Sequence, residues 1–462
     1  MPRLRPSDST WGGPGVALGA IVVGAAALRV VGIRYGLPYA SLLNPDEQNV
    51  VPRAWHMVHG GGADPHFFDW PTLVTYLEAP FQAWHASPSF LTARVVVVVV
   101  ALAGVAAAWW LGAAAYGTTA GAVAAAVTAV DSTHVTYSHA AVTDVPLATF
   151  VAVALALLVL DRPLAAGVAI GIATAAKYPG ALLVVPLLVV TWKRWRDLAL
   201  SLALALAAFF VASPYVFLRA DKAWSAFRRV QHDHRRGWLG FEYDHWSGIA
   251  FVVRLWSGLG PVLVVAAIGL VAAVVRRTRR ADLVLASFFV AYYLSLLPLR
   301  SHFDRYVLPL VPVCGALAGR LRAAAPVTLL LLVVPLAWSV RNDVRLTRTD
   351  TRVVAARWIA ANVPRGTRIA AESSTAVPAG YDVVPLALPL PWQHRSTTFA
   401  QLRREARYAV VSGAVADRVL RARSTYPHEV ALYRALDTRA RRAFRVDRGD
   451  GRSGPWVAVY AL

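Results

Sequence analysis

Among its 462 residues the sequence has one cysteine, two methionines and only 16% charged side chains. Each scarcity excludes something. The single thiol, Cys314, lies inside an apolar run, so no disulfide framework can form within the chain. Soluble domains carry about a quarter charged residues, so a composition this poor in charge, with 57% hydrophobic residues and mean hydropathy +0.49, argues against an ordinary soluble fold. The charges that exist are cationic in excess, net +21. In a soluble protein that would suggest nucleic acid. Here the arginines cluster between long uncharged stretches, as they do in the loops of membrane proteins beside anionic headgroups.

A bilayer core about 30 Å thick is spanned by about 20 apolar residues. The candidate spans are 15–33, 92–115, 119–131, 146–160, 164–176, 179–192, 197–217, 249–275, 282–299, 306–319 and 325–340, about eleven. Arg3 and Arg5 before Val16–Val31 resemble a signal peptide, but Arg34 follows instead of a small-residue cleavage site, so the segment reads as a retained helix. With Arg3 and Arg5 in the cytoplasm, Arg162, the Lys193–Arg196 cluster, Arg276–Arg280, Arg320 and Arg322 also fall inside. Loops 34–90, 131–144 and 219–247 then lie outside, as does the tail 341–462. The tail loses the apolar runs. Thr351–Asn362, Val415–Arg423 and Glu429–Leu436 read as helices, and Arg368–Glu372, Ala406–Ser412 and Trp456–Leu462 as strands. The expected architecture is a polytopic α-helical membrane module, 1–340, with a small α/β domain, 341–462, outside the membrane.

Chemistry concentrates on the outer side. In Asn44-Pro45-Asp46-Glu47-Gln48, the proline favours a helix starting at Asp46 and running towards Gly60–Gly62. A carboxylate fixed there can act as general base on a hydroxyl; the plain alternative is a solvated acidic pair. The second loop, Asp131 to Asp144, packs His134, Tyr137 and His139 between two spans, a costly placement unless these groups are hydrated or paired. Asp144 opens the next span and also suits a simple N-cap. Five histidines, His56, His59, His66, His134 and His139, with Asp46 or Glu47 leave a divalent metal open, Glu47 and His139 being the candidates, although the spacing fits no standard signature. Lys177 snorkels or meets a lipid phosphate. Arg300, His302 and Arg305 either clamp a phosphate or anchor on headgroups, with Asp304 pairing Arg305. The aromatic third loop, with Trp238, Tyr243 and Trp246, suits sugar stacking or an interfacial belt.

These pieces, in this order, resemble the GT-C glycosyltransferases, in the group of protein O-mannosyltransferases and aminoarabinose–lipid A transferases. Asp46-Glu47 resembles the acidic motif of the first external loop, and Phe67–Thr72 the aromatic–Asp…Pro segment after it. Tyr137–His139 through Pro146 resembles the second-loop motif. Thr174–Tyr178 resembles a Thr-Lys-Tyr element, Ser213–Tyr215 an Asn-Pro-Tyr element, and Arg305–Pro309 an Arg-Tyr…Pro element. The resemblance implies a polyprenyl-phosphate-linked sugar donor, an extracytoplasmic lipid, glycan or protein acceptor, and Asp46 as base. The resulting expectation is an inverting glycosyltransferase of the plasma membrane. Asp46, Glu47 and Asp144 are its catalytic carboxylates, and Lys177, Arg305, Arg300 and His302 bind the donor phosphate. A transporter or flippase of lipid-linked sugars is the alternative; it predicts paired hydrophobic repeats and mid-membrane charges, and no such repeat is visible. A non-catalytic scaffold presenting the tail is a third reading.

Overall fold

The computed structural model describes residues 13–39, 42–393, 397–449 and 451–462. Arg3 and Arg5, which set the expected orientation, lie outside the described residues. Pro14 starts the first helix, α1 (Pro14–Val30). The first loop then folds into α2 (Glu47–His56) and α3 (Leu73–Gln82). The π-turn Met57–Gly61 extends α2 and ends it at glycines with positive φ, so the helix expected there runs its predicted course. Next come α4 (Phe90–Tyr116) and α5 (Thr118–Val130), joined at Gly117, whose φ of +97° permits the reversal.

The second loop contains a helix, α6 (Ser132–Ser138), capped by Asp131, which accepts from the His134 N–H. The next elements are α7 (Asp144–Val159) and α8 (Pro163–Ala176), then a 3₁₀ turn, Tyr178–Leu183, leading into α9 (Val184–Thr191). The span expected over 197–217 stops early. α10 (Trp195–Ala212) ends at Ser213-Pro214, because a proline cannot donate the next helical bond, and the short α11 (Pro214–Leu218) follows. α12 (Ala220–Arg236) fills most of the third loop. The span expected over 249–275 is broken: α13 (Ser247–Leu259) and α14 (Val262–Arg276) meet at Gly260-Pro261 with a 120° bend. The bundle closes with α15 (Arg280–Leu296), a 3₁₀ segment Asp304–Leu310, α16 (Val311–Arg320), α17 (Ala325–Leu331) and α18 (Val333–Leu346).

Among the described residues three helical stretches are long and apolar enough to cross a membrane alone: Phe90–Tyr116, Trp195–Ala212 and Arg322–Leu346. The bent pair adds a fourth if it counts as one span. Other expected spans appear as shorter apolar helices of 10–17 residues. Small residues let these helices approach closely. A Cβ on Gly167 would meet Ser201 O at 2.3 Å, and one on Gly171 would meet Ala205 O at 2.3 Å, so α8 and α10 pack backbone to backbone. Gly269 of α14 faces Leu317 O of α16 in the same way, at 2.1 Å.

After a short strand β1 (Thr349–Asp350) and α19 (Thr351–Asn362), the tail builds a five-stranded sheet. Its strands are β2 (Arg368–Glu372), β3 (Asp382–Leu386), β4 (Tyr408–Ser412), β5 (Arg441–Val446) and β7 (Val457–Ala461), in the order β3-β2-β4-β7-β5; the short β6 (Arg452–Ser453) pairs with β1. β2 runs parallel to β3 and β4, while β7 is antiparallel to β4 and β5. Helices α20 (Phe399–Glu405), α21 (Gly413–Arg421) and α22 (Pro427–Arg439) complete the unit. It is tied to the loops of the helical module. Arg352 pairs with Asp350 at 2.6 Å and donates to Leu42 O at 2.7 Å, and the Tyr35 hydroxyl donates to Asp350.

Candidate functional site

Asp46 stands one residue before α2, at its N-cap. Its own N–H donates to Asn44 Oδ1 at 3.0 Å. Its Oδ2 accepts from the Arg305 guanidinium, and no hydrogen bond to its Oδ1 is present among the described residues. Arg305 belongs to the 3₁₀ segment, where its side chain lies over the Phe303 ring at 4.9 Å and the Tyr306 ring at 5.9 Å. Asp144, at the first turn of α7, binds the Lys177 ammonium at 2.6 Å. Lys177 follows α8 in extended conformation, which turns its side chain back over the Tyr306 ring at 5.4 Å. The structure therefore groups Asp46, Asp144, Lys177 and Arg305 around Tyr306.

Tyr137, Asp304 and His234 complete this cluster, and Asp304 pairs with Tyr137 instead of with the Arg305 guanidinium, which Asp46 takes. Tyr137 donates to Asp304 at 2.6 Å. His234, near the end of α12, meets the Tyr306 hydroxyl at 3.1 Å and Ser301 Oγ at 2.7 Å. Burial, then the Arg305 and Lys177 charges, push its imidazole down to about 4, so it is neutral near pH 7 and donates from one nitrogen only. In the sequence His234 was one of several polar residues beside the third-loop aromatics, and nothing local marked it.

Glu47 has a different place from the one expected. It is fully buried, with Oε1 accepting from Arg94 Nε at 2.8 Å and from the Ala141 N–H at 2.8 Å, and Oε2 accepting from Arg94 at 2.7 Å. Arg94 also donates to Ile33 O and Tyr35 O. Both Glu47 oxygens are thus engaged, and Glu47 braces the first loop against α4 instead of facing substrate. An arginine early in an apolar span is costly without a partner; the sequence shows that cost at Arg94, and the structure shows that Glu47 meets it.

The same commitments test the metal candidates. Arg94 occupies the place a cation would take beside Glu47. The two His139 nitrogens sit 2.9 Å from Val135 O and 2.8 Å from Val31 O, and His134 Nδ1 lies 2.9 Å from the buried Arg29 guanidinium. Among the described residues no three His, Cys, Asp or Glu side chains converge as ligands. The donor set does not fit a metal at Glu47 and His139.

Arg300 and His302 also depart from expectation. Neither bonds to Asp46, Asp144, Lys177 or Arg305 among the described residues. Both line a separate cavity, and His302 is held by Asp244 at 3.0 Å and Ser247 Oγ at 3.1 Å.

Residues 68–300 match the model of glycosyltransferase family 87. The chain belongs to that family. The family 87 match contains Asp144 and Lys177 and leaves Asp46 and Arg305 just outside its ends. The fold agrees with solved membrane glycosyltransferases of the GT-C type. ArnT from Cupriavidus metallidurans in the apo state is similar over 96% of this chain and 97% of its own, with 16% identity and a TM-score of 0.58. The same protein bound to undecaprenyl phosphate is similar over 75% and 73%, with 18% identity and a TM-score of 0.54. The Archaeoglobus fulgidus oligosaccharyltransferase in complex with Zn and sulfate is similar over 96% of this chain and 73% of its own, with 13% identity and a TM-score of 0.58. No curated protein sequence matches the chain.

Proposed function

We propose that this family 87 member transfers a sugar from a polyprenyl-phosphate donor to an acceptor hydroxyl on the outer face of the plasma membrane, with inversion. The observation that carries the reading is the cluster itself: two carboxylates and two cations, from four separate segments, meeting around Tyr306. Support also comes from the fold shared with ArnT, one of whose structures holds undecaprenyl phosphate, and with the archaeal oligosaccharyltransferase AglB in complex with an inhibitory peptide and a dolichol-phosphate.

In the reaction the acceptor oxygen bonds to the anomeric carbon as the bond from that carbon to the phosphate oxygen breaks. The acceptor proton passes to Asp46 Oδ1, the oxygen not held by Arg305. A single displacement inverts the anomeric centre. Positive charge grows on the sugar ring and negative charge on the departing phosphate. Lys177 and Arg305 balance that phosphate. Asp144 keeps Lys177 in place, and Glu47 fixes the helix that carries Asp46. The outward side of the cluster, with the tail beyond it, forms the extracytoplasmic face.

The test is release of polyprenyl phosphate from synthetic polyprenyl-phosphate-sugar donors by the purified full chain, with membrane extract as acceptor source, beside Asp46→Asn. Turnover lost in the variant, with donor binding kept, supports the reading. Donor binding with neither transfer nor hydrolysis in any extract would point instead to carriage of lipid-linked sugars.

A further inference from the structure

The third loop and the segment before Arg305 enclose a cavity of about 360 Å³ that the proposed reaction does not use. That volume suits a small ligand. Its walls are Trp238, Phe241 and Trp246, with the side chains of Arg236 and Arg300 at its edge. Two acids also line it, but both are engaged. Asp244 holds Arg254 at 2.7 Å and His302 at 3.0 Å, and Glu242 accepts from the Gly240 N–H at 2.9 Å and from the Tyr426 hydroxyl at 2.5 Å. The cations are not engaged. Among the described residues the Arg300 and Arg236 side chains make no ion pair or hydrogen bond, and Arg236 only approaches the Trp392 ring, at 5.9 Å. The cavity therefore offers aromatic faces together with two uncommitted guanidinium groups.

One of those faces is fixed in advance. Trp246 is 68% exposed, yet its indole lies across Gly248, where a Cβ would come within 2.3 Å of the ring. An exposed indole held flat by a neighbouring glycine is a platform for a flat or ring-shaped ligand, since ordering it on binding costs little. The cavity also adjoins the catalytic cluster through two rings, His234, which stacks on Trp238 at 5.8 Å and meets Tyr306 at 5.7 Å, and Phe303. Phe303 packs on Phe241 at 4.9 Å and on Trp238 at 6.0 Å, and the Arg305 guanidinium lies 4.9 Å from the same ring.

We infer that this cavity is an acceptor subsite that holds a sugar bearing an anionic group such as a phosphate. Its sugar stacks on Trp246 and Trp238, and its anion takes charge-assisted hydrogen bonds from Arg300 and Arg236. Because Phe303 and His234 touch both the cavity wall and the cluster, the sugar bound here is a neighbour of the reacting one in the same acceptor. The inference rests on the transferase reading for the word acceptor; the binding itself does not.

The test is calorimetric titration of the full chain in detergent with gluco-, galacto- and manno-configured disaccharides, each neutral and monophosphorylated, and with inorganic phosphate. At least one phosphorylated disaccharide is expected to bind about tenfold more tightly than its neutral form and than inorganic phosphate. Arg300→Ala should remove the preference over the neutral form, and Trp246→Ala the preference over inorganic phosphate. Gly248→Ala, which displaces the indole and deletes no contact group, should weaken binding while Arg300 is still present. Inorganic phosphate binding as well as every phosphorylated sugar would reduce the cavity to a bare anion site and overturn the inference. A preference that survives both alanine variants would overturn it as well. Release of polyprenyl phosphate, measured separately with Asp46→Asn, reports on the reaction alone, so the two readings fail independently.

Discussion

Arg305 and Asp46 are 259 residues apart in the sequence, and the guanidinium of one rests on the carboxylate of the other. The pair joins the loop between α1 and α3 to the 3₁₀ segment that leads into α16. It aims the carboxylate, and among the described residues Oδ1 accepts no hydrogen bond.

Arg305→Gln should lower turnover by roughly 10²–10³-fold, the range for removing a group that stabilises developing charge. Arg305→Lys should recover only part of it, because an ammonium cannot reproduce the fork geometry of guanidinium. Transfer from a polyprenyl-phosphate donor checks this, and a rate within threefold of wild type for Arg305→Gln would remove the residue from the site.

Asp144 and Lys177 should behave as a coupled pair. Lys177→Met leaves a carboxylate that is only 4% exposed without its partner, a loss that costs about 3–5 kcal/mol in buried pairs. Adding Asp144→Leu should return much of the thermal stability and none of the activity. A double variant no more stable than Lys177→Met would show that the pair is not coupled in the fold.

Glu47→Gln should act on the fold before it acts on chemistry. It weakens a buried pair with Arg94, so the apparent melting temperature in detergent should fall by several degrees, while turnover of the surviving folded fraction stays near normal. A stable variant with lost turnover would return Glu47 to the catalytic set.

Much of this was legible in the sequence, and the exceptions share a cause. Asp46 announced itself through the preceding proline, Asp144 through its place at a span start, and Arg305 through its own charge in a short basic segment. Their grouping was not legible, because it depends on how four segments return to one place. His234 was hidden among the polar residues of an amphipathic helix. Arg300 looked equivalent to Arg305, since both are arginines at the mouth of a span; in the structure Arg300 lines the separate cavity while Arg305 reaches Asp46. The broken span at Gly260-Pro261 was visible as a glycine–proline pair, but the apolar residues on both sides outweighed it. In the tail, β2, β4 and β7 stood out as alternating or apolar runs, whereas β3 and β5 lie at the sheet edges, where exposed polar and arginine positions blur the pattern.

The tail should also show a pH signature from Glu372. This carboxyl is buried at the end of β2, where it accepts from the Ser412 N–H at 2.7 Å and the Tyr433 hydroxyl at 2.5 Å. Burial pushes it up to about 7, against the lowering effect of those two bonds. A carboxyl whose folded value is raised stabilises the fold fully below its unfolded value of about 4.3, and that stability is lost as pH rises through about 7. The full swing is on the order of 3 kcal/mol. Glu372→Gln keeps the Ser412 bond through its amide oxygen, can donate its NH2 to the Tyr433 hydroxyl oxygen, and has no such titration. Thermal unfolding of the full chain at pH 5 and pH 8.5 should therefore show wild type losing ground to the variant at the higher pH. Parallel curves would sink the assignment.

The four clustered residues sit at positions 46, 144, 177 and 305, each at the end of an element or just beyond one. No contiguous fragment shorter than residues 46–305 carries the set. Catalysis is therefore also a gauge of assembly: a chain cut in the Arg276–Arg280 loop would be silent as two halves and would regain turnover only as they re-associate, so the rate of that recovery would time the docking of the last helices on the rest.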